Sequence, residues 1–156
     1  MVIHMLAEER YSHTQRAPLC LLLYGLGLLF LGLGWVLRRE PLLPWMFPPI
    51  GVMLLVLAGS FHQLTVADQG DELLIQFGPI PLFRTRVKYS EIESIEVGQT
   101  LLLDGLGIHM SVRGGWVWNL WGRDCVVIRR RERGDLRVGT DEANNLAAFL
   151  GKKLPR

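Results

Sequence analysis

A chain of 156 residues has room for one ordinary domain, or for a smaller domain joined to a membrane anchor. A formal net charge of +2 is too small to argue for a nucleic-acid partner, and two cysteines, one in an apolar and one in a polar region, indicate no disulfide framework. The hydrophobic fraction of 49% is ordinary, but its distribution is not, because apolar residues crowd between Pro18 and Phe61.

Residues 1–17 are expected to form an N-terminal segment on the cytoplasmic side. The run Pro18 to Leu37 then carries no formal charge and, as a helix, spans roughly 30 Å, the thickness of a bilayer's hydrocarbon core. It reads as a transmembrane helix. A cleaved signal peptide fits poorly, because Glu8 and Glu9 precede the run and a second apolar run follows. That second run, Leu42 to Phe61, is also uncharged. Proline is welcome in a first helical turn and costly further in, so Pro44, Pro48 and Pro49 predict an irregular start and a regular helix from about Pro49, with a re-entrant segment as the alternative.

The link Arg38-Arg39-Glu40-Pro41 is so short that the two helices must form an antiparallel hairpin with both chain ends on one side. Trp35 and Trp45 flank it, as rings that favour the headgroup layer do. Arg38 and Arg39 in the link balance Arg10 and Arg16 before it, so charge does not decide orientation. Gly25 and Gly32 lie on one face of the first helix, Gly27 and Gly34 on another, and Gly51 and Ala58 repeat the spacing on the second. Small residues let backbones approach closely in lipid, so one face suits the partner helix and the other a further protein; the alternative is that glycine is simply common in membrane helices.

From Phe61 the pattern turns to strands separated by turn signals. FHQLTVAD and ELLIQFG flank a QGDE turn, and FRTRVKYS alternates strictly, with Phe83, Thr85, Val87 and Tyr89 on one face and Arg84, Arg86, Lys88 and Ser90 on the other. EIESIEVGQT, GLGIHMSV, GWVWNL, DCVVIRR and DLRVG follow. The end, TDEANNLAAFLGKK, predicts an amphipathic helix capped by Thr140, with Leu146, Ala147, Phe149 and Leu150 as its apolar stripe. The domain of residues 62–156 therefore reads as about seven strands in a small barrel or sandwich, closed by a C-terminal helix.

Trp116, Trp118 and Trp121 crowd one short stretch. Trp116 and Trp118 share a strand face and are expected to fill the core, with Val117 and Asn119 opposite and Asn119 wet; membrane or partner contact and an aromatic ligand shelf are the alternatives. Trp121 falls in a turn and is expected to be exposed. A hairpin from Val126 to Val138 would gather Arg129, Arg130, Arg131, Arg133 and Arg137, with Arg113 and Arg123 near, either as a solvated tip or as a site for anionic lipid headgroups. His4, His13, His62 and His109 have no metal-ligand spacing, and neither cysteine has a CxxC partner, so no metal, cofactor or catalytic set is expected; the nearest approach to one is His109 with Asp104.

One resemblance rests on Leu74-Ile75-Gln76-Phe77-Gly78, Glu91-Ile92-Glu93-Ser94-Ile95, Gly107-Ile108-His109, Gly115-Trp116-Val117-Trp118-Asn119, Gly122, and Gly139-Thr140-Asp141-Glu142 before Leu146. On these the chain resembles the bacterial pleckstrin-homology-like domain family, in a membrane-anchored form with two N-terminal transmembrane helices. The resemblance implies a membrane-anchored α+β protein: a partly open, bent β-barrel capped by a helix, on the cytoplasmic side of a bacterial inner membrane, with no catalytic motif. The function expected is a non-enzymatic docking, scaffold or assembly module whose partners are the bilayer and other integral membrane proteins or copies of itself. Binding of anionic lipid headgroups by the arginine hairpin and Trp121 is the alternative.

Overall fold

The structure is a computed structural model that describes residues 10–101 and 105–154. It is an α+β fold of two sheets and three helices, in the order β1 (Ser12–Arg16), α1 (Leu19–Val36), α2 (Leu43–Ser60), β2 (Gln63–Asp68), β3 (Glu72–Gly78), β4 (Arg84–Lys88), β5 (Ile92–Gln99), β6 (Gly107–Met110), β7 (Trp116–Asn119), β8 (Asp124–Arg130), β9 (Leu136–Gly139) and α3 (Ala143–Lys153). The first sheet runs β1-β2-β3-β4 and the second β5-β8-β9-β7-β6. Every strand read from alternation is present, with one more: β1 lies inside the N-terminal segment, residues 1–17, and pairs antiparallel with β2, Arg16 opposite Gln63. The helical hairpin is thus an insertion between two paired strands. Only Ala17 and Pro18 separate β1 from α1, and only Phe61 and His62 separate α2 from β2. The nine residues before Arg10 lie outside the described residues.

Both helices are apolar on every side, with no charged residue in either. Among the described residues, only α2 is long and apolar enough to cross a membrane by length and composition, with a mean hydropathy of 1.6; the apolar stretch of α1, Cys20–Val36, is shorter. The expected irregular start of α2 is not found. The helix begins at Leu43, with Pro44 in its first turn and Pro48 and Pro49 inside it. The Pro48 ring has a seat, because a Cβ at Gly34 would stand 2.8 Å from its Cγ. Gly27 and Gly51 are packed in the same way: a Cβ at Gly51 would lie 2.8 Å from the Gly27 carbonyl oxygen, and one at Gly27 would lie 2.7 Å from Leu55. Ala58 is fully buried, whereas Gly25 and Gly32 face open space. One glycine face therefore receives the partner helix and the other is free.

The core lies between the sheets, built from Leu64, Val66, Leu73, Ile75, Phe77 and Val87 on one side and Val126, Ile128, Leu136 and Val138 on the other. Leu146 and Leu150 of α3 close it. Thr140 does not cap α3: its Oγ1 accepts from the Glu142 amide at 3.1 Å, in a turn ahead of the helix, which starts at Ala143. A polar latch holds the other end of α3. Tyr89 Oη donates to Asp68 Oδ1 at 2.6 Å, the Gly70 amide donates to the same oxygen at 2.9 Å, and Lys153 Nζ lies 3.6 Å from Asp68 Oδ2. Burial pushes the Asp68 carboxyl up, but the Tyr89 and Gly70 donors and the Lys153 charge together outweigh it and hold the group below the usual aspartate range. Burial, then the bond to Asp68, pushes Tyr89 far above its usual range, so it remains a donor.

A carboxyl with a depressed folded pKa contributes stability that is present above its unfolded pKa and is lost as pH falls through the folded one. Asp68→Asn is therefore expected to cost about 1.5–3 kcal/mol at neutral pH, the range for a hydrogen bond to a charged group. The gap to wild type should close in acid, as pH falls below the usual aspartate range. Thermal unfolding of both proteins against pH checks this; a gap that stays constant into strong acid would contradict it.

Candidate functional site

The two sheets part along one seam. The break Gly78 to Phe83 carries Ile80 against α2, where a Cβ at Gly59 would stand 2.7 Å from Ile80 Cδ1. Phe83 stacks on Phe61 with ring centroids 5.4 Å apart, and Phe61 meets Phe77 at 5.1 Å. β4 then runs away from the hairpin as the last strand of its sheet, its outer face formed by Arg84, Arg86 and Lys88. Across from it, Trp118 pairs with both Ile108 and Val138, and its ring lies 5.7 Å from that of Phe77. Between these walls is an open groove of about 630 Å³, lined by Leu82, Phe83, Arg84 and Thr85 on one side, by Ile108, Trp116, Trp118 and Leu136 on the other, and by Arg130 and Arg133 at its far end. Three of the lining residues are arginines and none is acidic.

The tryptophans occupy the face expected for them, but the seam leaves them only partly covered: Trp116 is 44% exposed and Trp118 half-buried. Asn119, expected to be wet, is fully buried. Its Nδ2 donates to the Gly122 carbonyl at 3.0 Å and to that of Gly105 at 3.4 Å, joining two loops, so polarity alone misjudged it. Trp121 is exposed as expected. Its carbonyl accepts from Gln15 Nε2 at 2.9 Å, which sets it at the hairpin end of the domain.

The arginine cluster is divided by strand alternation. Arg129 and Arg137 share the face opposite the groove; Arg129 meets Glu96 at 3.3 Å, and Arg137 is buried, with Nη1 donating to the Gly114 carbonyl at 2.5 Å and Nη2 3.9 Å from Asp135. Arg130 faces the groove. Its Nε donates to Gly134 O and its Nη2 to Arg133 O, each at 3.0 Å. Burial, then the neighbouring Arg133, press its pKa down while Glu91 and Asp135 oppose. Arg131 and Arg133 sit in the exposed turn after β8; Arg113 lies in the β6–β7 turn, and Arg123, at the start of β8, reaches Thr100 O at 3.4 Å. The seven residues of β8 separate Trp121 from Arg130 and Arg131 by about 20 Å. The single site of Trp121 with the arginine hairpin is thus not assembled.

His13 Nε2 stands 2.6 Å from Asp141, binding β1 to the α3 approach, and His62 Nδ1 stands 3.4 Å from Cys20 Sγ where the hairpin joins the sheet. His109 has a buried Nε2, and its suggested partner Asp104 lies outside the described residues. Among the described residues no three His, Cys, Asp or Glu side chains are placed to hold a metal ion. The groove itself was not read from the sequence. Its signal was available in the parity of Arg130 with Ile128, and of Trp116 and Trp118 with Ile108. Comparison of the chain with protein-family models, with curated proteins and with solved structures found no match.

Proposed function

We propose that this chain is a non-enzymatic, membrane-anchored docking module. In this reading α1 and α2 cross a bacterial inner membrane as a hairpin, and the two-sheet domain, of pleckstrin-homology-like architecture, sits on the cytoplasmic face as a seat for other integral membrane proteins. The observation that carries it is the placement of the hairpin. It is inserted between paired strands with almost no linker, and its outward side chains are apolar: Leu21, Leu22, Leu28, Leu29, Val52 and Met53 are all exposed. A helix pair that is apolar all round needs lipid or protein around it. The eighteen residues of α2 reach about 27 Å, close to the hydrocarbon thickness, the apolar stretch of α1 is shorter, and Trp35 and Trp45, at the link ends of the two helices, suit the headgroup layer.

A domain joined this tightly holds its groove at a set height above the bilayer, which suits recognition of a membrane neighbour. The lipid-headgroup alternative loses support, because Arg130, Arg131 and Arg133 lie at the end of β8 remote from the hairpin. The protein purified from native membranes in mild detergent is expected to carry a stoichiometric membrane-protein partner or a second copy of itself. Recovery only as a bare monomer would overturn the docking reading.

A further inference from the structure

We infer that the groove between β4 and β7 receives an extended juxtamembrane segment of a partner membrane protein, apolar next to its membrane helix and acidic a few residues further on. The inference rests on the docking reading and names what docks. The groove has a direction. Its near end, at Leu82 and Phe83, adjoins α2 through the contacts of Ile80 with Gly59 and of Phe83 with Phe61. Its far end carries Arg130 and Arg133. A strand rises about 3.3 Å per residue, so a short extended segment would run from Leu82 and Phe83, past Arg84, to Arg130 and Arg133.

Chemistry along the path agrees. Trp116 and Trp118 offer broad apolar faces midway, and no lining residue is acidic, so the only charge the groove complements is negative. β4 and β6 are terminal strands of their sheets, which leaves each with a row of backbone donors and acceptors facing away from its one partner. Such edges take up an added strand. Arg84 at the groove disfavours a like-charged copy of this edge and admits an acidic strand, while Arg86 is already paired with Glu72 at 3.1 Å. Lipid headgroups fit less well, because two of the three lining arginines, Arg130 and Arg133, are at the end away from the hairpin.

The test uses the full chain in nanodiscs of neutral lipid, panned against a random twelve-residue peptide library. Recovered peptides are expected to place Asp or Glu a few positions after apolar or aromatic residues. A labelled member should bind at least tenfold more weakly to Arg84→Glu/Arg133→Glu, two exposed positions, and to Trp116→Ala. Added salt should weaken the wild-type interaction. Recovery of sequences without acidic preference, or equal binding to all three proteins, overturns the inference. So does the absence of any enriched peptide, including the case where anionic vesicles bind and Arg84→Glu/Arg133→Glu abolishes it, which would make the occupant lipid. The outcomes separate from those of the docking reading: a partner complex that survives the groove substitutions at wild-type yield would leave docking standing and remove the groove from it.

Discussion

Replacing Gly115 by alanine is expected to destabilise the domain by about 3–4 kcal/mol, at the upper end for a single substitution. Gly115 stands at φ +83° immediately before β7, a conformation that costs a residue bearing Cβ about 1–2 kcal/mol. The larger part is steric. A Cβ there would overlap the Asp135 carbonyl oxygen and stand 2.9 Å from its carbon. That carbonyl accepts from the Trp116 amide at 2.9 Å and opens the parallel β7–β9 pair, so a shift of Asp135 loosens the wall of the groove as well as the sheet. Gly114 is the control, because it too has a positive φ, of +80°, but its Cβ would meet nothing within 4 Å. Denaturant unfolding of the two alanine variants should show the Gly115 change to be at least twice as costly. Equal losses would mean that backbone conformation alone sets the cost.

Phe77→Ala is expected to remove about 3–5 kcal/mol, the range for a fully buried aromatic. Phe77 is completely buried and touches Phe61, where the hairpin joins the sheet, and Trp118, on the groove's far wall. Phe83→Ala, which truncates a ring already open to the groove, should cost less than half as much in the same unfolding experiment. If the two cost the same, the core is not centred where the structure puts it.

The elements were legible because alternation is strict where one face is buried. In β4 the sequence order Phe83, Thr85, Val87, Tyr89 against Arg84, Arg86, Lys88, Ser90 is the order of burial, and Val87 and Tyr89 are in the core. β1 escaped because its inward residues include His13 and Gln15, whose burial depends on partners distant in sequence: Asp141 and the Trp121 carbonyl. The parallel pairing of β7 with β9 was illegible for a related reason, since order within a sheet is set by long-range packing and a run of turns reads as a meander. Hairpin glycines looked equivalent by spacing. Only the seat of Pro48 on Gly34 and of Leu55 on Gly27 shows which face is used. The arginines read as one cluster because they are adjacent in sequence, although alternation along β8 sends Arg129 and Arg130 to opposite faces.

In the proposed function the hairpin crosses the membrane and holds the domain against its cytoplasmic face. Glu40, exposed in the link between the helices, and Glu93, exposed on β5, mark the two sides. Each is replaced by cysteine in a chain where Cys20 and Cys125 have been changed to serine or alanine, and intact cells are treated with a membrane-impermeant thiol reagent. Glu40→Cys should be labelled in intact cells, and Glu93→Cys only after lysis. The reverse pattern would place the domain outside, and protection of both in intact cells with labelling of both after lysis would contradict the crossing itself.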